Sequence, residues 1–460
     1  MIGLIAASTP GLANSAARRP TNIVLIQADD LGYADLSCYG QRNFMTPNVD
    51  RMAAEGTRFT QYYSGSTVCA PSRASLLTGQ HTGHGHIRGN GDHPLRPEDV
   101  TVAEVLRSAG YATAVIGKWG LGTVDTTGRP DRQGFCESFG FLDHTHAHRQ
   151  YTDHLWKNGE VLPVDLERDY VNDLFARAAV DFIGRNAQRP FFLNLAFTAP
   201  HAELRAPEEA VRPFRGKFAE SSFSNARADG VAAHAPSRVR RTTIGYRSQP
   251  EPFASFAGMV TRMDEHVGQV LAKLRELGLD RDTLVLFTSD NGPHREGGAN
   301  PELFDSNGPL RGIKRDLYEG GIRVPMIARW PGSVKAGATS PQVWAHWDFL
   351  PTMAELAGVK PPQGIDGISM LPALLGQRQR RHDFLYWEFH ERGFQQAVRM
   401  GDWKAVRHAP GARLELFDLT TDVGEQHDVA AQRPDVVRKI EGYLRVARTP
   451  SELWPVEREK

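Results

Sequence analysis

The stretch TNIVLIQADD, residues 21–30, is the clearest indication of the fold class of this chain. Its apolar run is unbroken from Ile23 to Ile26, and a strand without polar alternation is typical of a parallel sheet that is covered on both faces. Two adjacent carboxylates, Asp29 and Asp30, follow the run. The stretch therefore predicts a buried strand that places acidic side chains at its carboxyl end, where open α/β sheets bind their ligands.

Three further apolar runs end in polar or charged side chains. They are TLVLFTSDNG with Asp290 and Asn291, YATAVIGKWG with Lys118, and PFFLNLAFTAPH with His201. Between these runs, residues 167–187 and 256–279 repeat apolar side chains three and four positions apart, as amphipathic helices do. Because strands and helices alternate over most of the chain, we expect a large α/β domain whose strand ends share one crevice.

The sequence changes character after Pro372. Two β-rich runs flank a turn signal at Gly401–Asp402, which predicts a hairpin, and a helical pattern follows near the end of the chain. We therefore expect a main α/β domain over residues 21–372 and a smaller subdomain, an antiparallel sheet with a closing helix, over residues 373–460. Residues 216–255 are polar and lack clear periodicity, which predicts a long surface excursion.

The bulk composition is that of a globular protein: 460 residues, 40% hydrophobic, with 54 Lys and Arg balancing 54 Asp and Glu. The balanced charge argues against a nucleic-acid partner, since phosphate binding needs a basic surface. No run reaches the roughly 20 apolar residues of a membrane span. Residues 1–20 combine a short apolar stretch, small residues and a basic pair, which predicts a leader and a periplasmic or secreted protein, with the cytoplasm as the alternative.

One of three cysteines, Cys69, directly precedes a predicted helix in VCAPSRASLLTG, residues 68–79. Pro71 is favoured in the first turn of a helix, and Gly79 is suited to end it. A helix N-terminus gathers unpaired N–H groups and favours a nearby anion or thiolate. Three cysteines exclude a disulfide scaffold, although one pair could bridge. From these residues alone, a reactive thiol and a buried structural cysteine are equally open.

The polar residues that follow two of the strands are all oxygen donors: Asp29, Asp30, Asp290 and Asn291. Hard ligands of this kind suit Ca²⁺ or Mg²⁺ better than Zn²⁺. Three cationic residues lie in other stretches of the chain that can reach the same crevice. They are Arg73 in the helix after Cys69, Lys118 at a strand end and Lys314 in a glycine-rich loop. A divalent metal and these cations together predict a pocket for a compact oxyanion, with His201 available as a general acid or base.

The segment Cys69–Arg73, CAPSR, matches the C-x-P-S-R signature of formylglycine-dependent type I sulfatases, and the match extends to Gly79. Further blocks agree along nearly the whole chain apart from the leader and the excursion, among them IVLIQADDLGYADLSCYG, GYATAVIGKWGLG, TSDNG and GIKRDLYEGGIRVPMIARWPG. The sequence therefore resembles an arylsulfatase-like member of the alkaline-phosphatase superfamily. The resemblance implies a large mixed sheet flanked by helices in the catalytic domain, residues 21–372, and a smaller C-terminal antiparallel-sheet subdomain.

The resemblance also implies that Cys69 is oxidised to Cα-formylglycine by a formylglycine-generating or equivalent maturation enzyme. A hydroxyl of the hydrated aldehyde would then attack the sulfur of a sulfate ester, which is nucleophilic catalysis in two steps. The implied ligands of Ca²⁺, or alternatively of Mg²⁺, are Asp29, Asp30, residue 69, Asp290 and Asn291.

The resemblance assigns roles to the remaining polar residues. Arg73 would hold the hydrate, and Lys118 and Lys314 would bind sulfate oxygens and offset transition-state charge. His201 would protonate the leaving alcohol. One position departs from the pattern, because Gly120 stands where many relatives carry a histidine. We expect an imidazole from HTHAH, either His146 or His148, to contact the substrate instead.

The sequence thus predicts a sulfatase that hydrolyses sulfate monoesters, either aryl sulfates or carbohydrate sulfates of small-molecule or oligosaccharide size. Two alternatives remain at this point. One is a phosphonate or phosphate monoester hydrolase of the same superfamily. The other is a non-catalytic sulfoglycan-binding protein, which would keep Cys69 as a thiol.

Overall fold

The computed structural model of the chain describes residues 20–226 and 246–456. The strands are β1 (Asn22–Asp29), β2 (Thr57–Tyr63), β3 (Ala112–Lys118), β4 (Glu137–Phe141), β5 (His154–Lys157), β6 (Glu160–Pro163), β7 (Phe191–Pro200), β8 (Thr283–Ser289), β9 (Arg323–Arg329), β10 (Ala338–Ala345), β11 (Leu385–Phe389), β12 (Gln395–Met400), β13 (Trp403–Arg407) and β14 (Glu415–Asp418). The helices are α1 (Pro47–Ala54), α2 (Cys69–Thr78), α3 (Val102–Ser108), α4 (Val171–Arg185), α5 (Glu208–Val211), α6 (Pro252–Glu276), α7 (Glu319–Ile322), α8 (Phe349–Leu356), α9 (Leu371–Leu374) and α10 (Pro434–Val446).

Strands β1 to β10 form one mixed sheet. Across the described residues its order is β10-β2-β9-β8-β1-β7-β3-β4-β5-β6. Strand β1 pairs in parallel with β7 and with β8, whereas β9 pairs antiparallel with β2 and with β8. The expected alkaline-phosphatase-like architecture, a large mixed sheet flanked by helices, is confirmed.

Strand β1 lies at the centre of the sheet, and all eight of its residues are buried. Val24 and Ile26 belong to the core that packs under α4 and α6. Ile23 and Leu25 point to the opposite core, which includes residues of α2 and α3. Each such side chain stabilises the fold by about 1.5–3 kcal/mol. Because β1 and β8 are parallel neighbours, their carboxyl ends bring residues from distant parts of the chain to one edge.

The structure bears on two of the predicted segments, the long helix and the surface excursion before it. The helix expected over residues 256–279 begins earlier, at Pro252, where proline occupies the first turn without losing a hydrogen bond. Of the excursion expected over residues 216–255, residues 227–245 lie outside the described residues, and Phe223 pairs with Gln249 in an isolated bridge. The predicted leader also lies outside the described residues, apart from its last position.

A second sheet, antiparallel in the order β11-β12-β13-β14, follows the large one. Its β12–β13 hairpin turns at Gly401, where φ is +59°, as the turn signal predicts. Helix α10 covers this sheet by packing Ile440 and Leu444 into its core. The domain boundary at residue 372 stays a prediction.

The three cysteines are all free, so the pairing that the sequence allowed does not occur. Among the described residues, no helix combines the length and the apolar character that crossing a bilayer requires.

Glu388 on β11 joins the second sheet to two distant segments, and its side chain is fully buried. Its Oε1 accepts a hydrogen bond from Arg88 Nη1 at 3.0 Å, and its Oε2 accepts one from Arg448 Nε at 2.9 Å. Its backbone N–H reaches Thr82 Oγ1 at 2.8 Å. This carboxylate therefore connects two segments to the second sheet: the one that follows α2 and the one that follows α10.

We expect Glu388→Gln to lower the free energy of unfolding by about 3–5 kcal/mol, because Arg88 is then left buried without a counter-charge. Urea denaturation measures the loss. The matched control is Glu302→Gln: Glu302 pairs with Arg295 where both side chains are 59% exposed, so its loss stays below about 1 kcal/mol. Equal losses for the two variants would contradict the role of Glu388.

The same carboxylate makes stability depend on pH. Burial opposes ionisation of Glu388, but hydrogen bonding from His390 and the charge of Arg88 hold its pKa at about 2, below its usual 4.5. Since the folded pKa is the lower one, this stabilisation is complete above pH 4.5 and is lost as the pH falls towards 2. Wild type should lose more stability than Glu388→Gln over this interval.

Candidate active site

Cys69 is the first residue of α2, and its side chain is buried among carboxylates. Its Sγ lies 3.5 Å from Asp29 Oδ1 and 3.7 Å from Asp30 Oδ1. Helix α2 ends at Gly79, which adopts the left-handed conformation with φ of +74°. Burial raises the pKa of the Cys69 thiol well above its usual value, although Lys118 and Lys314 oppose the shift. The geometry therefore argues against a reactive thiolate, which the helix N-terminus alone left open.

The turn after β1 makes both of its acidic residues face the same point. Asp29 is the last residue of the strand, and Asp30 adopts φ of +61°, a conformation that a residue with a Cβ rarely takes. The Asp30 N–H donates to Asp290 Oδ1 at 3.0 Å, which fixes this turn against the end of β8. Strained backbone of this kind is found where the surrounding structure imposes a site.

A divalent cation fits the residues that meet here. The donor atoms of Asp29, Asp30, Cys69 and Asp290 all lie within 4.8 Å of one another. Asn291 Nδ2 donates to Asp30 Oδ1 at 2.6 Å, which leaves the buried Asn291 Oδ1 without a hydrogen-bond partner. An unsatisfied buried carbonyl oxygen is costly, and a cation is one means of satisfying it.

Three buried cations match the three carboxylates of this cluster. Lys118 Nζ lies 2.9 and 2.7 Å from the two oxygens of Asp29. Lys314 Nζ lies 2.7 Å from Asp30 Oδ2. Arg73 Nε and Nη2 lie 2.9 and 2.8 Å from Asp290 Oδ2. Burial disfavours the ionised form of Asp29, but Lys118 and His201 keep its pKa well below the usual range.

His201 follows β7 and reaches the cluster with one ring nitrogen. Its Nδ1 lies 2.5 Å from the carbonyl oxygen of Ala202, and because a carbonyl only accepts, Nδ1 carries the proton. Its Nε2 lies 3.0 Å from Lys314 Nζ and 3.2 Å from Asp30 Oδ2. This tautomer leaves Nε2 to exchange a proton with a bound molecule.

Glu296 belongs to this site, and the sequence interpretation missed it. Its Oε2 lies 3.3 Å from both Lys314 Nζ and His201 Nε2, and it accepts a hydrogen bond from Tyr246 Oη at 2.7 Å. Its Oε1 accepts one from Arg315 Nη1 at 2.6 Å. The only available signal was its position six residues after Asp290, in a glycine-rich loop without periodicity.

The two histidines predicted to contact the substrate lie in different places. The His148 ring stacks on His201 with a centroid separation of 4.1 Å and an interplanar angle of 13°. His146 Nε2 lies 2.8 Å from Thr152 Oγ1, and the His146 ring packs against Phe141 and His154. The structure therefore brings His148 to the cluster of charged residues around Cys69 and His201 and places His146 in a neighbouring group with His154.

This fold and this cluster define a hydrolase with an alkaline-phosphatase-like architecture. A family model described as "Sulfatase" matches residues 21–359, and one described as "N-sulphoglucosamine sulphohydrolase, C-terminal" matches residues 313–448. The chain belongs to the sulfatase family and is a sulfuric ester hydrolase. The resemblance predicted from the sequence is confirmed.

Curated relatives span nearly the whole chain. N-acetylgalactosamine-6-sulfatase of Canis lupus familiaris is 34% identical and aligns over 98% of this chain and 85% of the relative. Arylsulfatase A of Homo sapiens is also 34% identical and aligns over 93% of this chain and 88% of the relative.

Solved structures share the fold. The structure of Ps i-CgsB in complex with k-i-k-neocarrahexaose superposes with a TM-score of 0.79, at 29% identity and 95% coverage of both chains. Phosphonate monoester hydrolase of Agrobacterium radiobacter has a TM-score of 0.68 at 23% identity, covering 96% of this chain and 100% of that one. The second similarity is one of fold alone.

Proposed function

We propose that this sulfatase hydrolyses sulfate monoesters of carbohydrates, with residue 69 as the nucleophile after oxidation of the cysteine to Cα-formylglycine. The observation that carries the proposal is the contact of Cys69 Sγ with both Asp29 and Asp30 at the first turn of α2. The names of the relatives support a carbohydrate ester, since one is an N-acetylgalactosamine-6-sulfatase and one was solved with a neocarrahexaose.

Each polar side chain of the cluster has a role in this proposal. Arg73 orients the hydrated residue 69 from the next turn of α2. Lys118 and Lys314 bind sulfate oxygens and offset the charge that grows on them in the transition state. His201 acts as the acid in its doubly protonated form: Nε2 gives its proton to the departing alcohol oxygen, while Nδ1 keeps its own proton and donates it in a hydrogen bond to the Ala202 carbonyl.

We propose Ca²⁺, with Mg²⁺ as the alternative, at the oxygen donors of the cluster: Asp29, Asp30, Asp290, Asn291 and residue 69. When bound, the ion would act as a Lewis acid toward a sulfate oxygen and favour ionisation of the hydrate. The carboxylates and the Asn291 carbonyl oxygen are hard ligands that suit either ion.

The metal proposal predicts a loss of affinity in Asp290→Asn. We expect Ca²⁺ to bind this variant about 100-fold more weakly than wild type, because even outer partners of metal ligands contribute 10- to 100-fold. Calorimetric titration of chelator-treated protein measures the affinity. Asp282→Ala is the control, since Asp282 is a half-buried residue that precedes β8, at the end opposite to Asp290, and the variant should leave Ca²⁺ binding unchanged. Wild-type protein that binds neither Ca²⁺ nor Mg²⁺ would contradict the proposal.

Two measurements separate the proposed function from its alternatives. Mass spectrometry of the peptide that contains residue 69 should show the aldehyde, whereas a quantitative thiol would favour a non-catalytic sulfoglycan-binding protein. Parallel assays with nitrophenyl sulfate and a nitrophenyl phosphonate ester compare kcat/KM for attack at sulfur with kcat/KM for attack at phosphorus. A higher value for the phosphonate would reassign the chain to the phosphonate hydrolases.

The proposal also includes a compartment and a partner. We propose export to the periplasm or the exterior, on the leader-like composition of residues 1–20, with the cytoplasm as the alternative. We further propose that a formylglycine-generating or equivalent enzyme recognises the CAPSR segment of the chain.

A further inference from the structure

A cavity of about 200 Å³ lies between three segments of the chain. Three segments line it, residues 91–94, 120–126 and 142–144. The first segment is anchored next to the nucleophile, because Asn90 Oδ1 accepts a hydrogen bond from the Ala70 N–H at 3.0 Å. The second segment begins two residues after Lys118. The cavity therefore adjoins the positions that we assign to the nucleophile and to the sulfate.

Gly120 and His144 lie side by side in the wall of this cavity. Gly120 adopts φ of +77°, and a Cβ at this position would lie 3.3 Å from His144 Cβ. Its N–H donates to the Leu142 carbonyl oxygen at 3.0 Å, which joins two of the lining segments. A larger side chain at residue 120 would compete with the imidazole for this space. Glycine at residue 120 thus makes room for His144.

His144 lies within the electrostatic reach of the catalytic cations. Burial is the main cause of the lowered pKa of His144; the charge of Asp143 opposes the shift, and the charges of Lys118 and Lys314 add to it. The ring is therefore neutral at pH 7 and can donate one hydrogen bond and accept another. Such a group is suited to a hydroxyl or an amide rather than to an anion.

We propose that this cavity binds the sugar ring next to the sulfate and that His144 hydrogen-bonds a polar substituent of that ring. The inference rests on the proposed function and adds a substrate subsite to it.

The size and lining of the cavity favour one sugar ring over an aryl or steroid group. Its volume is smaller than the roughly 300–1,000 Å³ of pockets that enclose drug-sized ligands. Its walls supply polar side chains on several sides: Asp92, His93, Thr123, Thr126, Asp143 and His144. Among the described residues that line it, none is Trp, Tyr or Phe, the side chains that would hold an apolar ring system.

The test compares His144→Ala with wild type on two kinds of ester. The sugar probes are 6-sulfated N-acetylgalactosamine and 4-sulfated galactose, and the aryl probe is nitrophenyl sulfate. We expect kcat/KM for the better sugar probe to fall about 10- to 100-fold, mainly through KM, as for the loss of a buried hydrogen bond to substrate. Turnover of the aryl ester, which does not fill the cavity, should fall about threefold or less.

His154→Ala is the matched control, because His154 belongs to the neighbouring histidine group and does not line the cavity. It should leave the ratio of the two kcat/KM values unchanged. An equal loss on both esters in His144→Ala, or no loss on either, would overturn the subsite.

Binding provides a readout that does not depend on turnover. In a Cys69→Ala background, adding His144→Ala should weaken calorimetric binding of the sulfated sugar about tenfold or more. Unchanged binding would overturn the subsite even if the enzyme is an active sulfatase. A wild type that hydrolyses no sulfate ester would contradict the proposed function instead, and this titration would then decide the subsite alone.

Discussion

Cys69→Ala should lower kcat for nitrophenyl sulfate by about 10⁴-fold or more, the scale seen when an enzyme loses its nucleophile. The variant removes the side chain that contacts Asp29 and Asp30 and leaves the surrounding cations in place. An initial-rate assay measures the loss, and circular dichroism verifies that the variant is folded.

The matched control is Cys136→Ala, since Cys136 is a free cysteine whose closest partner is Thr113, outside the catalytic cluster. It should retain the activity of wild type. A Cys69→Ala variant that keeps more than about a hundredth of wild-type turnover would rule out covalent catalysis at residue 69.

Lys314→Ala is expected to lower kcat/KM by about 10³-fold, the upper range for removing one donor that stabilises transition-state charge. Lys314 is 3% exposed, and its ammonium group contacts Asp30, His201 and Glu296, so it lies where the proposed sulfate, nucleophile and acid meet. Steady-state kinetics with nitrophenyl sulfate gives the value.

Removing a buried cation also threatens the fold, because Asp30 and Glu296 lose their partner. Lys314→Arg therefore accompanies the test: it keeps the charge but changes the donor geometry, so it should fold while remaining at least tenfold impaired. Lys273→Ala serves as the control, since Lys273 pairs with Glu276 on an exposed helix face. A folded Lys314→Ala with wild-type kcat/KM would remove Lys314 from the sulfate site.

The central strands and the strand-end residues could be predicted from the sequence for a physical reason. A strand that is buried on both faces must be apolar throughout, so β1 and β8 are recognisable without their partners. The rule that ligands gather at the carboxyl ends of such strands then joins Asp30 and Asp290, which are 260 residues apart along the chain.

The strand and the site residues that were not predicted from the sequence depend on tertiary contacts. Strand β2, TRFTQYY, contains polar residues because several of its side chains are only half-buried, so it lacks a continuous apolar run. Glu296 and Tyr246 reach the site from loops, and the composition of a loop does not indicate where its side chains lie in the fold. His144 lies next to Gly120, which belongs to another segment of the chain, and a spacing rule cannot show such a pair.

Cys69 is only 3% exposed, which restricts the stage of folding at which the proposed oxidation of this cysteine could take place. If residue 69 is oxidised as we propose, the maturation enzyme has to reach the thiol before it lies buried between Asp29 and Asp30. On that proposal, conversion would precede the folding of α2 onto the end of β1. Under the same proposal, overproduction that outpaces conversion would yield folded molecules without the nucleophile, and later addition of the converting enzyme would not restore activity.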